Sequence, residues 1–302
     1  MADAKKTADL PSSQLLKSNF DIITVMNIKI ASWNLESRLG NTTTKNRGTP
    51  QQIIENIKSV NADILFLPDA YKKISADELK VRTKELNSLG YKTYSVPYDD
   101  NINLRQKSDS AGTSLVLLSK LPITVINTIR LGSYRNALHA VIEVNEKVLN
   151  IFGIHLDDIH ESMRVTQIND LTRIINSTGA PVIVMGDFNA MHGEDFWPAS
   201  FFRSKFAKML SKIILPDVFI RVTEMASGEA LKLLEVNTDL SDVDKRHRPT
   251  TTPKMREHEW MPSIKLIQID HIYTSPGITT SNFHIHSDGG SDHRAISVVI
   301  EI

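Results

Sequence analysis

Short apolar runs and amphipathic stretches alternate through the first two-thirds of the chain. Residues 28–33 and 64–67 are brief, rich in β-branched or large apolar side chains, and read as strands buried on both faces. Between them, residues 49–60 carry Ile53, Ile54, Ile57 and Val60 on one helical face. Thr49 is placed to cap that helix and Pro50 to occupy its first turn. A second helix is expected after Ser75, where Ser75 and Glu78 have capping-box spacing and Gly90 supplies a stop. Five strand-like runs follow with little helix between them, at 91–96, 114–118, 124–131, 137–144 and 148–155. Such a series implies antiparallel hairpins. A third helix is expected at 162–176, with Val165, Ile168, Leu171 and Ile175 on one face, and the last strands at 267–274, 279–286 and 295–302. This pattern predicts two packed sheets flanked by helices.

Residues 181–190 read PVIVMGDFNA, an apolar run that stops at Gly186 and delivers Asp187 and Asn189 at its end. Taken alone, GDFN is equally an Asx-type turn in which the two side chains bond their own backbone. Residues 191–265 carry less pattern. A helix is plausible at 201–214, and 241–259 reads as a long polar surface loop whose Lys245, Arg246 and Arg248 either meet an anionic substrate or form a solvated charge run.

At 302 residues and 41% hydrophobic content the chain can bury a large core, and one large domain over 26–302 is expected. Residues 1–25 are expected to form a mobile extension ahead of the first strand. Lys plus Arg equal Asp plus Glu at 35 each, so no overall field draws the protein to nucleic acid or to an anionic membrane, although a local basic cleft is compatible with neutrality. Cysteine is absent, which removes thiolate metal sites and a cysteine nucleophile and leaves oxygen and nitrogen ligands. No apolar stretch approaches the roughly 20 residues needed to cross a bilayer, and residues 1–21 lack the apolar core of a signal peptide. A soluble, cytoplasmic monomer is the expectation.

The other strands end as the PVIVMGDFNA strand does. Asn34 follows IASW, Asp69 follows ILFLP, His155 follows NIFGI, Asp270 ends KLIQI, and Asp292 with His293 precedes the final strand. One such residue is a turn former or a satisfied histidine. Six segments with the same ending are not explained by turns.

These segments, SWNL (32–35), ADILFLPD (62–69), GTSLVLLSKLPI (112–123), FGIHLDD (152–158), GDFNA (186–190), IDHIYTS (269–275) and SDHR (291–294), stand in an order that resembles the endonuclease/exonuclease/phosphatase superfamily. The resemblance spans residues 27–302. It implies an α/β (α+β) four-layer αββα sandwich, with two packed mixed β-sheets flanked by helices, and divalent-metal-dependent cleavage of a phosphate ester, such as a nucleic acid or a small or lipid phosphodiester.

Phosphoryl transfer spreads negative charge over oxygens, so cations and hydrogen-bond donors are the required groups. By resemblance Asn34, Asp69 and Asp292 surround a Mg²⁺ ion, which favours oxygen ligands. The nucleophile is a water oriented and deprotonated near Asp187, with Asn189 donating to the phosphate. His155 and His293 stabilise phosphoryl oxygens, and Asp270 holds His293 in its useful tautomer and favours its charged form. Arg135 either lines the substrate side as a strand arginine or is an ordinary surface residue. Arg164 and Gln167 are expected to be structural, and His284 with His286 lack a third ligand at close spacing.

One departure stands out. Pro68-Asp69 replaces the family's usual Gln-Glu, and the shorter side chain retracts the carboxylate by roughly 1.5 Å, near a C–C bond length. Direct Mg²⁺ ligation at about 2.0–2.1 Å then requires a backbone shift. Otherwise the ion binds through water, binds weakly, or is a larger one such as Mn²⁺ or Ca²⁺. The same residue is the only support for an alternative, a binding or scaffold protein that kept the fold and lost turnover.

Overall fold

The computed structural model describes residues 26–40, 48–71, 74–97, 114–179, 181–192, 216–251 and 267–302. The expected extension at 1–25 and the expected helix at 201–214 lie outside the described residues, as do residues 252–259 of the expected loop.

Twelve strands and five helices are described. The strands are β1 (Asn27–Ser32), β2 (Ile64–Leu67), β3 (Lys92–Pro97), β4 (Ser114–Ser119), β5 (Ile123–Leu131), β6 (Arg135–Val144), β7 (Lys147–His155), β8 (Val182–Asp187), β9 (Ser241–Asp242), β10 (Asp270–Thr274), β11 (Thr279–Ile285) and β12 (Ile296–Glu301). The helices are α1 (Pro50–Val60), α2 (Ala76–Ser88), α3 (Glu161–Thr178), α4 (Pro216–Met225) and α5 (Glu229–Thr238). Thr49 and Ser75 close capping boxes with Gln52 and Glu78, each cap being worth about 1 kcal/mol.

The strands form two six-stranded sheets, ordered β11-β12-β1-β2-β4-β3 and β5-β6-β7-β8-β10-β9. Each is mixed: β1–β2 and β7–β8 are parallel, and the remaining pairs are antiparallel. Two-residue periodicity sorts the side chains into layers. Ile28, Ile30, Ile64 and Phe66 of the first sheet meet Leu138, Ile151, Met185 and Ile272 of the second. The alternate residues Leu65, Leu67, Val116 and Leu118 face Ile53, Ile57 and Leu86 of the helices. On the far side, Phe152, Ile154 and Val184 pack against Ile168 and Leu171 of α3 and Leu231 and Leu234 of α5. Helix, sheet, sheet, helix is therefore the layer order, the αββα sandwich expected from the sequence. At the sheet–sheet interface the Phe66 ring lies where a Cβ on Gly153 would meet it at 2.3 Å, so a methyl group there would part the sheets.

Two features differ from the sequence reading. Helices α4 and α5 and the two-residue edge strand β9 occupy a stretch for which no element was expected. The expected surface loop beginning at residue 241 is also not a solvated run over its described part. Asp242, Asp244, Thr250 and Thr251 are buried, and Thr251 bridges to His293. Hydrogen bonds from the Thr250 N–H to the Ile267 carbonyl and from the Arg294 N–H to the Thr250 carbonyl stitch this segment to the stretches leading into β10 and β12, which offsets the cost of burying its polar groups. Among the described residues, no helix is long and apolar enough to cross a membrane.

Candidate active site

The parallel pair β7–β8 puts His155 directly beside Asp187, and the antiparallel pair β8–β10 puts Asp270 on the other side of Asp187. Residues in register on neighbouring strands share a face about 4.8 Å apart. Three chemical side chains thus stand in one row at the end of the second sheet. Gly186 makes the row possible. Its φ is +149°, and a Cβ there would stand 1.9 Å from the carbonyl oxygen of Ile154. Only a residue without a side chain fits that approach.

Asp187 is the focus. Its Oδ2 accepts from Asn34 Nδ2 at 2.8 Å and lies 3.5 Å from His155 Nε2 and 3.8 Å from His293 Nε2. Its Oδ1 accepts from the backbone N–H of Asn189 at 2.9 Å. Asn189, held at φ +50°, donates its amide to the carbonyl of Leu156 at 3.2 Å. Burial pushes the Asp187 carboxyl up to about 7; the Asp270 charge adds to the rise, and His293, Asn189 and Asn34 oppose it. Its GDFN segment is therefore both an Asx turn and the centre of a polar cluster.

His293 Nδ1 donates to Asp270 Oδ2 at 2.8 Å, and the Thr250 hydroxyl donates to the same oxygen at 2.7 Å. Burial alone would discharge His293, but Asp270 and Asp187 overcome it and lift the imidazole to about 10. An imidazolium here sits between two carboxylates. The Trp33 indole donates to the His293 carbonyl at 3.0 Å and the Ser291 hydroxyl to the Asn34 carbonyl at 2.7 Å, which ties the ends of β1 and β12 together.

The structure thus gathers Asn34, His155, Asp187, Asn189, Asp270 and His293 into one cluster. Asp292 borders it, with Oδ1 3.9 Å from His293 Nε2. Asp69, its backbone held at φ +50°, accepts at Oδ1 from the Ser37 hydroxyl at 2.8 Å, and its charge reaches Arg135, as does that of Asp187. Arg135 opens β6 and is buried, so its reading as a surface arginine is corrected. Its Nη2 donates to Asp158 Oδ1 at 3.1 Å, and the charges of Asp157, Asp69 and Asp187 also reach it. Burial lowers its guanidinium to about 10, the aspartates resisting.

The donors present fit a divalent cation. Asp187 and Asp270 each present a carboxylate oxygen within 4.8 Å of the other and of a ring nitrogen of His293. Asp270 Oδ1 is buried and has no hydrogen-bond partner. With two carboxylates, this group is dominated by oxygen, as Mg²⁺ or Mn²⁺ requires.

Arg164 and Gln167 hold the HLDD turn from behind. Arg164 pairs with Glu161 at 2.6 Å and donates to the Asp157 carbonyl at 2.8 Å, while Gln167 accepts from the Asp157 N–H at 2.9 Å. Of the three cations at the start of the polar segment, Arg248 forks onto Asp244 and lies over the Phe283 ring, and Lys245 and Arg246 are exposed. Thr250 and Ser291 escaped the sequence reading, because a threonine in a polar stretch and a serine beside Asp292 carry no distinguishing spacing. His271 escaped it too, alternating as an ordinary strand residue after Asp270.

Comparisons with known proteins agree with the layered fold. Residues 31–293 match the model of the Endonuclease/Exonuclease/phosphatase family. No curated protein matches the chain. Among solved structures, it is similar to an endonuclease/exonuclease/phosphatase family protein from Bacteroides thetaiotaomicron, with 15% identity over 92% of this chain and 98% of that one and a TM-score of 0.64. It is also similar to a mannosyl-6-phosphatase from the same organism, with 14% identity over 90% and 98% and a TM-score of 0.61. The catalytic domain of human Nocturnin with bound sulfate shares 19% identity over 91% and 93%, with a TM-score of 0.58. With a family match over most of its length and the superfamily's layered fold, the chain belongs to the endonuclease/exonuclease/phosphatase family.

Proposed function

We propose that this protein is a divalent-metal-dependent phosphoesterase that hydrolyses a phosphodiester by attack of a water activated at Asp187. The observation that carries the reading is the convergence on Asp187 Oδ2 of Asn34, His155 and His293, with Asp270 behind His293. A buried carboxyl held up near 7 accepts a proton at physiological pH far better than an exposed one, whose value lies near 3.9. Asp187 takes the proton from the attacking water. Asn34 fixes the orientation of its carboxylate.

His293, held charged by Asp270, donates through Nε2 to the phosphoryl oxygens, and His155 flanks the same space. Charge-assisted donors preset at the place where negative charge grows lower the barrier because they need no reorganisation. Asn189 is the further donor to the phosphate, and Arg135 adds a fixed positive charge on that side. A divalent ion held by Asn34, Asp69 and Asp292 supplies Lewis-acid neutralisation of the phosphate when bound. The sulfate in the Nocturnin structure and the phosphate ester in the name of the mannosyl-6-phosphatase support a site for tetrahedral oxyanions.

Assays with bis-p-nitrophenyl phosphate and p-nitrophenyl phosphate, each with Mg²⁺, Mn²⁺ or chelator, test the proposal. Metal-dependent release from the diester, lost in Asp187→Ala, is expected. Equal, metal-independent rates for wild type and Asp187→Ala would overturn it and favour the binding-protein reading, to which the short Asp69 lends its support.

A further inference from the structure

A second group of metal-ligating side chains lies beyond the GDFNA turn, built from residues with no part in the chemistry above. His192 follows that turn, Asp242 sits on the edge strand β9, and His247 lies in the turn after β9, its N–H bonded to the Asp244 carbonyl at 3.1 Å. Ligand atoms of the three all fall within 4.8 Å of one another. Asp242 is buried and the two imidazoles are half-buried, so the carboxylate forms the floor and the rings the solvent side.

Three relationships favour a bound ion over a chance grouping. Two donors each about 2.0–2.1 Å from a tetrahedral Zn²⁺ stand roughly 3.4 Å apart. His192 Nε2 and Asp242 Oδ2 already stand at 3.5 Å. The ligand atom of His247 lies within 4.8 Å of the other two, and rotation of that half-buried side chain out of its stack on the His192 ring (4.1 Å between centroids, 9° between planes) turns its nitrogen to the shared position. The carboxylate is also braced as metal-bound carboxylates are: buried His271 donates through Nδ1 to Asp242 Oδ2 at 2.6 Å, and the Asp244 N–H donates to Oδ1 at 3.0 Å.

We infer that His192, Asp242 and His247 form a site for a Zn²⁺-class transition-metal ion. Two imidazoles and one carboxylate suit Zn²⁺ or Co²⁺ and ill suit Mg²⁺. A fourth ligand from solvent completes the tetrahedron such an ion prefers. Such an ion fastens three separate pieces of chain: the segment leaving the GDFNA turn, the edge strand, and the turn that leads to Thr250 and Thr251. Thr250 bonds Asp270 and Thr251 bridges to His293, so the ion braces the segment that orients His293 without touching the phosphate site.

The test uses the full chain, stripped with chelator and titrated with Co²⁺ while visible absorption is followed, then loaded with Zn²⁺, desalted and assayed for retained metal. Wild type and Asp187→Asn are each expected to take up one more tetrahedral-type Co²⁺ and retain one more Zn²⁺ per chain than His192→Gln or His247→Asn. Asparagine is chosen at 247 because it tolerates the φ of +47° found there. The metal-free melting temperature falls somewhat in both histidine variants, because His192 also bonds the Tyr273 hydroxyl and His247 stacks on the His192 ring, but saturating Zn²⁺ should raise it only in wild type and Asp187→Asn. Retention unchanged in both histidine variants, loss of the ion in Asp187→Asn alone, or no retained metal in wild type each overturns the assignment.

Discussion

The carboxylate of Asp270 accepts two hydrogen bonds on one oxygen, from His293 Nδ1 at 2.8 Å and from the Thr250 hydroxyl at 2.7 Å. That pairing fixes the proton on Nδ1 and turns Nε2 toward Asp187. Asp270→Asn presents an amide in place of an acceptor pair, so the ring flips or discharges. A kcat loss of about 10²–10⁴-fold is expected with KM little changed. Thr250→Ala removes one bond to a charged group, about 1.5–3 kcal/mol, and should cost about 10–100-fold. Steady-state kinetics on the diester compare the two.

Asp187→Asn separates chemistry from folding. The buried carboxyl resists ionisation, so at pH 7 the folded state carries a cost that an amide does not. Turnover should fall by about 10³-fold, while the melting temperature holds or rises. A large drop in melting temperature would mean that Asp187 is needed chiefly for packing.

Asp69→Glu should tighten Mg²⁺ binding, measured by calorimetry, because the added methylene restores the reach that the aspartate lacks. Against this stands the backbone at φ +50°, which asparagine and aspartate adopt more readily than glutamate, a difference of about 1 kcal/mol in stability. Weaker binding in the variant would show that the Ser37–Asp69 hydrogen bond has set the site for the shorter residue.

His286 is held down to about 4 by burial, with His284, Lys29 and Arg294 adding repulsion. The unfolded chain takes up this proton near 6.5, and the folded chain only near 4. The unfolded state therefore binds more protons between those values, so stability is fully present above 6.5 and is lost as pH falls through the window. His286→Gln should flatten that part of the decline in melting temperature between pH 7 and pH 4.

His271 has acceptors on both ring nitrogens, Asp242 Oδ2 at 2.6 Å and the Ala190 carbonyl at 3.0 Å. Burial works against the charge, yet Asp242 and these bonds hold its imidazole above the ordinary value. Removing one partner strands the other, so His271→Gln should destabilise by about 3–5 kcal/mol in urea unfolding. Adding Asp242→Asn should cost much less than the sum of the two single changes, because each variant has already broken the same pair.

Elements with a strong period were legible in the sequence. Ile53, Ile54, Ile57 and Val60 announced α1, and the double-sided burial of residues 64–67 announced a central strand between two layers. The strand-end polar residues were legible as a set, because a parallel register carries the ends of neighbouring strands to one edge, as it does His155 and Asp187. Helices α4 and α5 were not. Helix α5 has Gly228 in place of a capping side chain, and a stability that comes from packing leaves little local signature. Thr250 and His271 were also hidden. Their roles come from partners 20 and 29 residues away along the chain, and no local spacing encodes such a meeting.

The contact between Gly186 and the Ile154 carbonyl meters the gap between an imidazole and a carboxylate by means of an omitted atom. At that position the chain has no functional group and touches no substrate, yet it has no latitude to drift: the tolerance of the reaction centre is set where the sequence says least.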